Sequence, residues 1–168
     1  MSFIFDVVER FIAGTVGEPG ERAFFIQARN GARLISVALE KAQVGALVER
    51  LEIVVNDLKK SGLSQVGNRA PRDDGPLELP IESEFHVGAI SIAWDAIGKT
   101  MAIEFFEITG DDAGTNLSLK VSIDLGMCEA FVQRSRALLL AGRTPCPLCG
   151  IPIDPQGHLC PRANGYRR

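Results

Sequence analysis

The feature that most limits what this chain can fold into is an order of signals that occurs twice: three strands joined by Gly- or Pro-containing turns, then a long amphipathic helix. In the first half the strands are read at 9 to 16, 22 to 29 and 32 to 40, with Glu18-Pro19-Gly20 as the first turn and Asn30-Gly31 as a two-residue hairpin signal, before a helix over 42 to 60. Val44, Leu47, Val48, Leu51, Val54, Val55 and Leu58 recur at three- and four-residue steps, which lays one apolar stripe along that helix, and Lys59, Lys60 and Gly62 supply its stop. In the second half the strands are read at 85 to 94, 100 to 108 and 117 to 124, with a turn at Ile97-Gly98-Lys99, a polar loop from Gly110 to Gly114 and a helix running to about 140.

An offset of 84 pairs Val37 with Val121, Leu39 with Ile123, Glu40 with Asp124, Ala46 with Ala130, Val48 with Val132 and Arg50 with Arg134. The earlier strands align at 78, where Ile12 meets Ile90 and Gly20 meets Gly98. The expected fold is therefore α+β: two β-meander-plus-helix repeats, mainly antiparallel, with six strands in one or two sheets and both helices on one face. The repeats occupy 1–62 and 84–142, joined by a linker at 63–83 rich in Gly, Pro and polar residues, and they form one combined body over 1–142. Cys128 aligns with Val44 on the apolar stripe, which predicts a buried cysteine acting as a hydrophobe.

Residues 143–168 read as a separate module. Cys146, Cys149, His158 and Cys160 are spaced C-x2-C-x8-H-x-C, and three thiolates with one imidazole close a tetrahedral zinc site without leaving a position for substrate. Pro147 and Gly150 let the first pair curl, and on an extended segment His158 and Cys160 point to the same side. The His-x-Cys half departs from zinc-finger spacings, yet four donors within fifteen residues of a cysteine-poor chain favour a structural zinc over free thiols or a disulfide.

Length and a 46% hydrophobic, 23% charged composition suit a folded protein that buries its own core. No apolar run has the length of a membrane span and the first residues lack a signal-peptide pattern, so the expected location is the cytoplasm, where thiols stay reduced and metal binding is favoured. From Arg134 onward six arginines face the single acid Asp154, about +5, against about -8 for the rest. That basic end can meet phosphates or an acidic protein, while the acidic body repels nucleic acid.

Other candidates give way to plainer readings. His86, in Glu84-Phe85-His86-Val87, reads as a strand-edge residue, with no nucleophile elbow, phosphate loop or HExxH beside it. Gly14, Gly17 and Gly20 span a strand end and a turn and serve backbone geometry. Glu104 and Glu107, three apart on one strand, face opposite sides. Of the pairs Phe24-Phe25 and Phe105-Phe106, one ring each is expected against the helices, although aromatics near Arg22, Arg29 and Arg33 keep base stacking open as an alternative.

The segments Ala13-Gly14-Thr15-Val16-Gly17-Glu18-Pro19-Gly20, Phe25-Ile26-Gln27-Ala28-Arg29, Ser36-Val37-Ala38-Leu39-Glu40-Lys41 and Cys146-Pro-Leu-Cys-Gly through His158-Leu-Cys-Pro-Arg-Ala-Asn-Gly-Tyr-Arg-Arg resemble an actinobacterial family that is a domain of unknown function. The resemblance covers essentially the whole chain and implies an actinobacterial cytoplasmic protein, with the four cysteine and histidine ligands carried over. The plan also looks distantly like single-stranded nucleic-acid-binding folds, which usually have four strands per unit where three are counted here. The leading expectation is a non-enzymatic interaction or adaptor protein with a protein partner. Its structural zinc would orient Arg162, Asn164, Tyr166, Arg167 and Arg168 for partner binding. A single-stranded nucleic-acid-binding regulator is the alternative, and an enzyme with a site between the repeats near His86 is third.

Overall fold

The computed structural model describes residues 2–18, 21–62, 73–109 and 116–141. The order is β1 (Ser2–Phe5), β2 (Arg10–Val16), β3 (Ala23–Asn30), β4 (Arg33–Leu39), α1 (Lys41–Lys60), β5 (Ser83–Asp95), β6 (Thr100–Glu107), β7 (Ser118–Ile123) and α2 (Leu125–Leu140). The fold is α+β, with one mostly antiparallel seven-stranded sheet in the order β1-β7-β6-β5-β4-β3-β2 and two helices. Two neighbouring pairs are parallel, β1 with β7 and β4 with β5.

β1 and β2 form opposite edges of this sheet yet are joined by Asp6 to Glu9 alone. Laid flat, six interstrand spacings would hold the edges about 29 Å apart, whereas the five Cα steps from Phe5 to Arg10 reach at most about 18 Å. The sheet must therefore curl until its edges approach. Consistent with that curl, Arg33 on β4 donates through Nη1 to the carbonyl of Ile4 on β1 at 2.7 Å, and its guanidinium lies 4.3 Å from the Phe5 ring centroid.

The concave side is the core. Three cross-strand rows in the first half, Phe11–Ala28–Ile35, Ala13–Ile26–Val37 and Thr15–Phe24–Leu39, have counterparts of the same register in the second, Ile90–Phe105–Leu119, Ile92–Ile103–Val121 and Trp94–Met101–Ile123. These rows match at offsets of 79, 77 and 84 for successive strands, so a uniform 78 is one residue out on both earlier strands. That slip would set Ile12, paired with Gln27 on the outer face, against Ile90, paired with Phe105 in the core.

Each helix starts straight after a last strand. Asp124 caps α2 by accepting from the Met127 N–H at 2.7 Å, and Gln43 Oε1 accepts from the Glu40 N–H at the start of α1. Val44, Leu47, Val48, Leu51, Val55 and Leu58 of the expected stripe are buried, as is Cys128 on α2. The helices run antiparallel, with Lys59 bonded to Glu129 at 2.8 Å and Arg136 paired with Glu52. The β3–β4 loop is Gly31-Ala32, since Asn30 pairs with Arg33; Gly31 alone has positive φ there, so the turn sits one residue later than the Asn-Gly pattern suggests.

Candidate functional site: a strap clamped by arginines

Part of the expected linker is a built element. Residues 73–82 cross the outer face of β2 to β4, held by side chains from three distant segments. Arg10 donates through Nε to Asp73 Oδ2 at 2.6 Å and through Nη2 to the Pro76 carbonyl at 2.8 Å. Arg134, on α2, donates through Nη1 to the carbonyls of Asp73 and Gly75 and through Nε to that of Ala13, each at 2.7 Å. A guanidinium presents its donors in a fixed plane, so one side chain joins helix, edge strand and strap.

Further along, the strap pairs like a partial strand with one side chain. Gln27 Nε2 donates to the Glu78 carbonyl at 2.9 Å while its Oε1 accepts from the Glu78 N–H at 2.9 Å, and the same amide donates to Ser36 Oγ at 3.1 Å. Gln27 is almost fully buried, and these bonds satisfy it. Arg29 bridges Glu78 at 3.1 Å and Glu9 at 2.9 Å. Leu77 packs onto Gly14 so closely that a Cβ there would fall 2.4 Å from its Cδ2, which is why this strand position is glycine. Leu79–Pro80 is a cis peptide.

The charges on the strap are tuned by this clamp. Hydrogen bonding from Arg10 holds the Asp73 carboxyl below its ordinary range, the Gly75 N–H and the charges of Arg10 and Arg134 add to that, and burial opposes it. Asp73 in turn raises the Arg10 guanidinium. This is an anchoring site: its carboxylate and guanidinium groups are bonded to one another and to backbone.

The residues singled out from the sequence fall as follows. Cys146, Cys149, His158, Cys160, Arg162, Asn164, Tyr166, Arg167 and Arg168 lie outside the described residues, as does Gly20. Among the described residues no group of three or more His, Cys, Asp or Glu side chains is placed to hold a metal. His86 is exposed on β5, opposite Ala38, and its carbonyl accepts from the Ile108 N–H at 2.8 Å. Glu104 and Glu107 face opposite sides, with Glu107 Oε2 accepting from the Leu117 N–H at 2.9 Å. Phe24 and Phe105 are buried while Phe106 is exposed. Gly17 adopts φ 103°. Burial pushes the Cys128 thiol up to about 12, with Glu129 and Asp124 adding to the shift, so it is a hydrophobe in practice.

Arg134 and Arg136 fall by sequence in the basic end, but in the fold the first clamps the strap and the second pairs with Glu52. The sequence carries no signal for the strap beyond the length of the linker, because its anchors come from positions 10, 27, 29 and 134. No helix among the described residues is long and apolar enough to cross a membrane. Neither the curated proteins nor the solved structures contain a match to this chain. The family described as protein of unknown function (DUF3090) matches residues 3–160, and the chain belongs to that family.

Proposed function

We propose that this protein is a non-enzymatic interaction protein of the actinobacterial cytoplasm: a duplicated sheet-and-helix body carrying a C-terminal zinc module that presents a basic end to a protein partner. The observation that carries this reading is the donor set Cys146, Cys149, His158 and Cys160, four soft or borderline ligands in fifteen residues that suit Zn²⁺ in a closed structural site. The family match runs as far as Cys160 and so spans all four positions. Zinc would fix the chain ahead of Arg162, Asn164, Tyr166, Arg167 and Arg168, whose donors and aromatic ring suit an acidic protein surface.

The duplication is supported by the matched cross-strand rows. It also gains a fourth strand per unit: β1 pairs parallel with β7, and the first part of β5 pairs parallel with β4. With Arg134 and Arg136 used internally, the basic end keeps Arg143, Arg162, Arg167 and Arg168 against Asp154, a net +3 that three thiolates on one Zn²⁺ lower to +2, which favours a protein partner over a long run of phosphates.

The test is metal content by inductively coupled plasma mass spectrometry, on wild type and on the double variant Cys146→Ser, Cys149→Ser. One zinc per chain is expected in wild type and none in the variant, with the far-ultraviolet circular dichroism of the body retained. A metal-free wild type removes the zinc module, and catalytic turnover that persists in the variant removes the non-enzymatic reading.

A further inference from the structure

The two halves differ in one respect. In the first half, residues 73–75 fill the space between α2 and β2, with Arg134 bonded both to them and to the Ala13 carbonyl. By the matched rows and helix positions, the counterparts of Arg134 and Ala13 are Arg50 on α1 and Ile92 on β5. Between these two lies an open notch of about 250 Å³, with Gln43, Leu47, Arg50, Ile90 and Ile92 in its walls. The side chains account for the room. Phe131 stacks on Phe11 with ring centroids 4.5 Å apart, whereas their counterparts are the smaller pair Leu47 and Ile90. Ile90 and Ile92 are left half-buried, where Phe11 and Ala13 are 3% and 0% exposed.

The wall supplied by β5 is an open strand edge. β4 pairs with β5 only as far as His86, and among the described residues Ile90 to Asp95 pair with β6 alone. In an antiparallel pair, alternate residues turn both backbone groups away from the partner strand. Ala13 is one of these, since Arg134 takes its carbonyl, and by the matched register Ile90 and Ile92 are too. Arg50 lines the opposite wall, and among the described residues its guanidinium has no hydrogen-bond or ion-pair partner.

We propose that this notch binds an extended acidic segment of a partner protein, which adds to the edge of β5 and sets a carboxylate against Arg50. The chain's own strap indicates the chemistry. Residues 73–75 occupy the equivalent space, where Arg134 bonds to two of their carbonyls and lies 3.8 Å from the Asp73 carboxylate. The rise of α1 from Gln43 to Arg50 is about 10 Å, which about three extended residues span. Gln43 bonds the carbonyls of Val87 and Gly88 and so occupies the strand edge at the end away from Arg50. A second copy of the chain suits the notch less well, because a two-fold contact between β5 edges would bring two unpaired Arg50 guanidiniums into one interface. The inference rests on the duplication proposed above and is separate from the basic end: zinc content is read on the same samples, so the failure of one reading leaves the other standing.

The probe is a fluorescein-labelled synthetic peptide with the sequence of residues 73–79 and a benzophenone amino acid in place of Leu77, added to the full-length protein. Fluorescence anisotropy should saturate, and Arg50→Glu should weaken binding by about tenfold or more while the circular dichroism stays that of wild type. Exchanging both aspartates of the peptide for asparagine should weaken binding too, and irradiation should cross-link the peptide to α1 or β5. Absence of saturable binding overturns the proposal, as does binding indifferent to Arg50→Glu. Cross-links confined to α2 and β2 would mean that the peptide had displaced the strap, and a wild-type dimer that Arg50→Glu dissociates in sedimentation velocity would assign the notch to a second copy; either overturns it.

Discussion

Arg134 joins three elements that have no covalent reason to be near one another, and most of its side chain is buried, at 11% exposure. Hydrogen bonds to a charged donor contribute about 1.5–3 kcal/mol each, and removing the donor leaves carbonyls of the edge strand and the strap unpaired. Arg134→Ala should therefore destabilise the protein by about 2–4 kcal/mol in urea titration. Arg134→Lys should recover only part of that, because an ammonium lacks the planar fork; full recovery would show that charge alone matters. Asp73 adds a pH dependence. Its folded pKa is depressed, so its contribution is complete above the unfolded value of about 3.9 and is lost as pH falls through the folded value. The stability gap between wild type and Asp73→Asn should be open at pH 6 and close toward pH 3. With 36% of the Asp73 side chain exposed, added salt should narrow it. A gap that stays constant with pH would assign the effect of the substitution to shape.

The helices are legible in the sequence because a 3.6-residue apolar period sustained over five turns suits a helix and no strand: the stripe predicts α1 at 42 to 60, and it spans Lys41–Lys60. The six longer strands are legible from β-branched runs between turn residues. β1 is not, since Ser-Phe-Ile-Phe is too short to show a period and its partner, β7, lies 116 residues away in the register of Ser2 with Ser118. The strap stays hidden for a related reason: it has polar and proline-rich composition, and only folding brings Arg10, Gln27 and Arg134 to it. The cysteines and histidine proposed to hold zinc are the converse case. Their pattern is local in sequence, so the proposal needs no geometry, and they lie outside the described residues. β1 itself should matter more than its four residues suggest, because Phe5 is buried in the core and lies under Arg33.

At the scale of the molecule, the halves cannot be separated as a two-repeat reading of the sequence invites. α2 stacks Phe131 on Phe11 of β2, with ring centroids 4.5 Å apart, and Phe11 also meets Phe105 of β6 at 6.3 Å. α1 reaches the other way, as Gln43 donates to the carbonyls of Val87 and Gly88 on β5 at 2.8 and 3.0 Å. α2 thus packs on the first long strand of the opposite half, α1 is tied to its counterpart β5 through Gln43, and the sheet runs through both halves by way of the parallel β4–β5 pair and curls to bring β1 round toward β2. A half folded alone would leave its helix stripe and the concave face of its strands in water, at about 25 cal/mol for each Å² left exposed. The body should therefore unfold in a single transition. Trp94, the only tryptophan, reports on the second half by fluorescence, and amide hydrogen exchange within β3 reports on the first. Their urea midpoints should coincide, and Phe11→Ala should lower both by the same amount, since its ring is shared by the two halves. Separate midpoints would mean that the curled sheet can open between β4 and β5, and that the halves are joined domains.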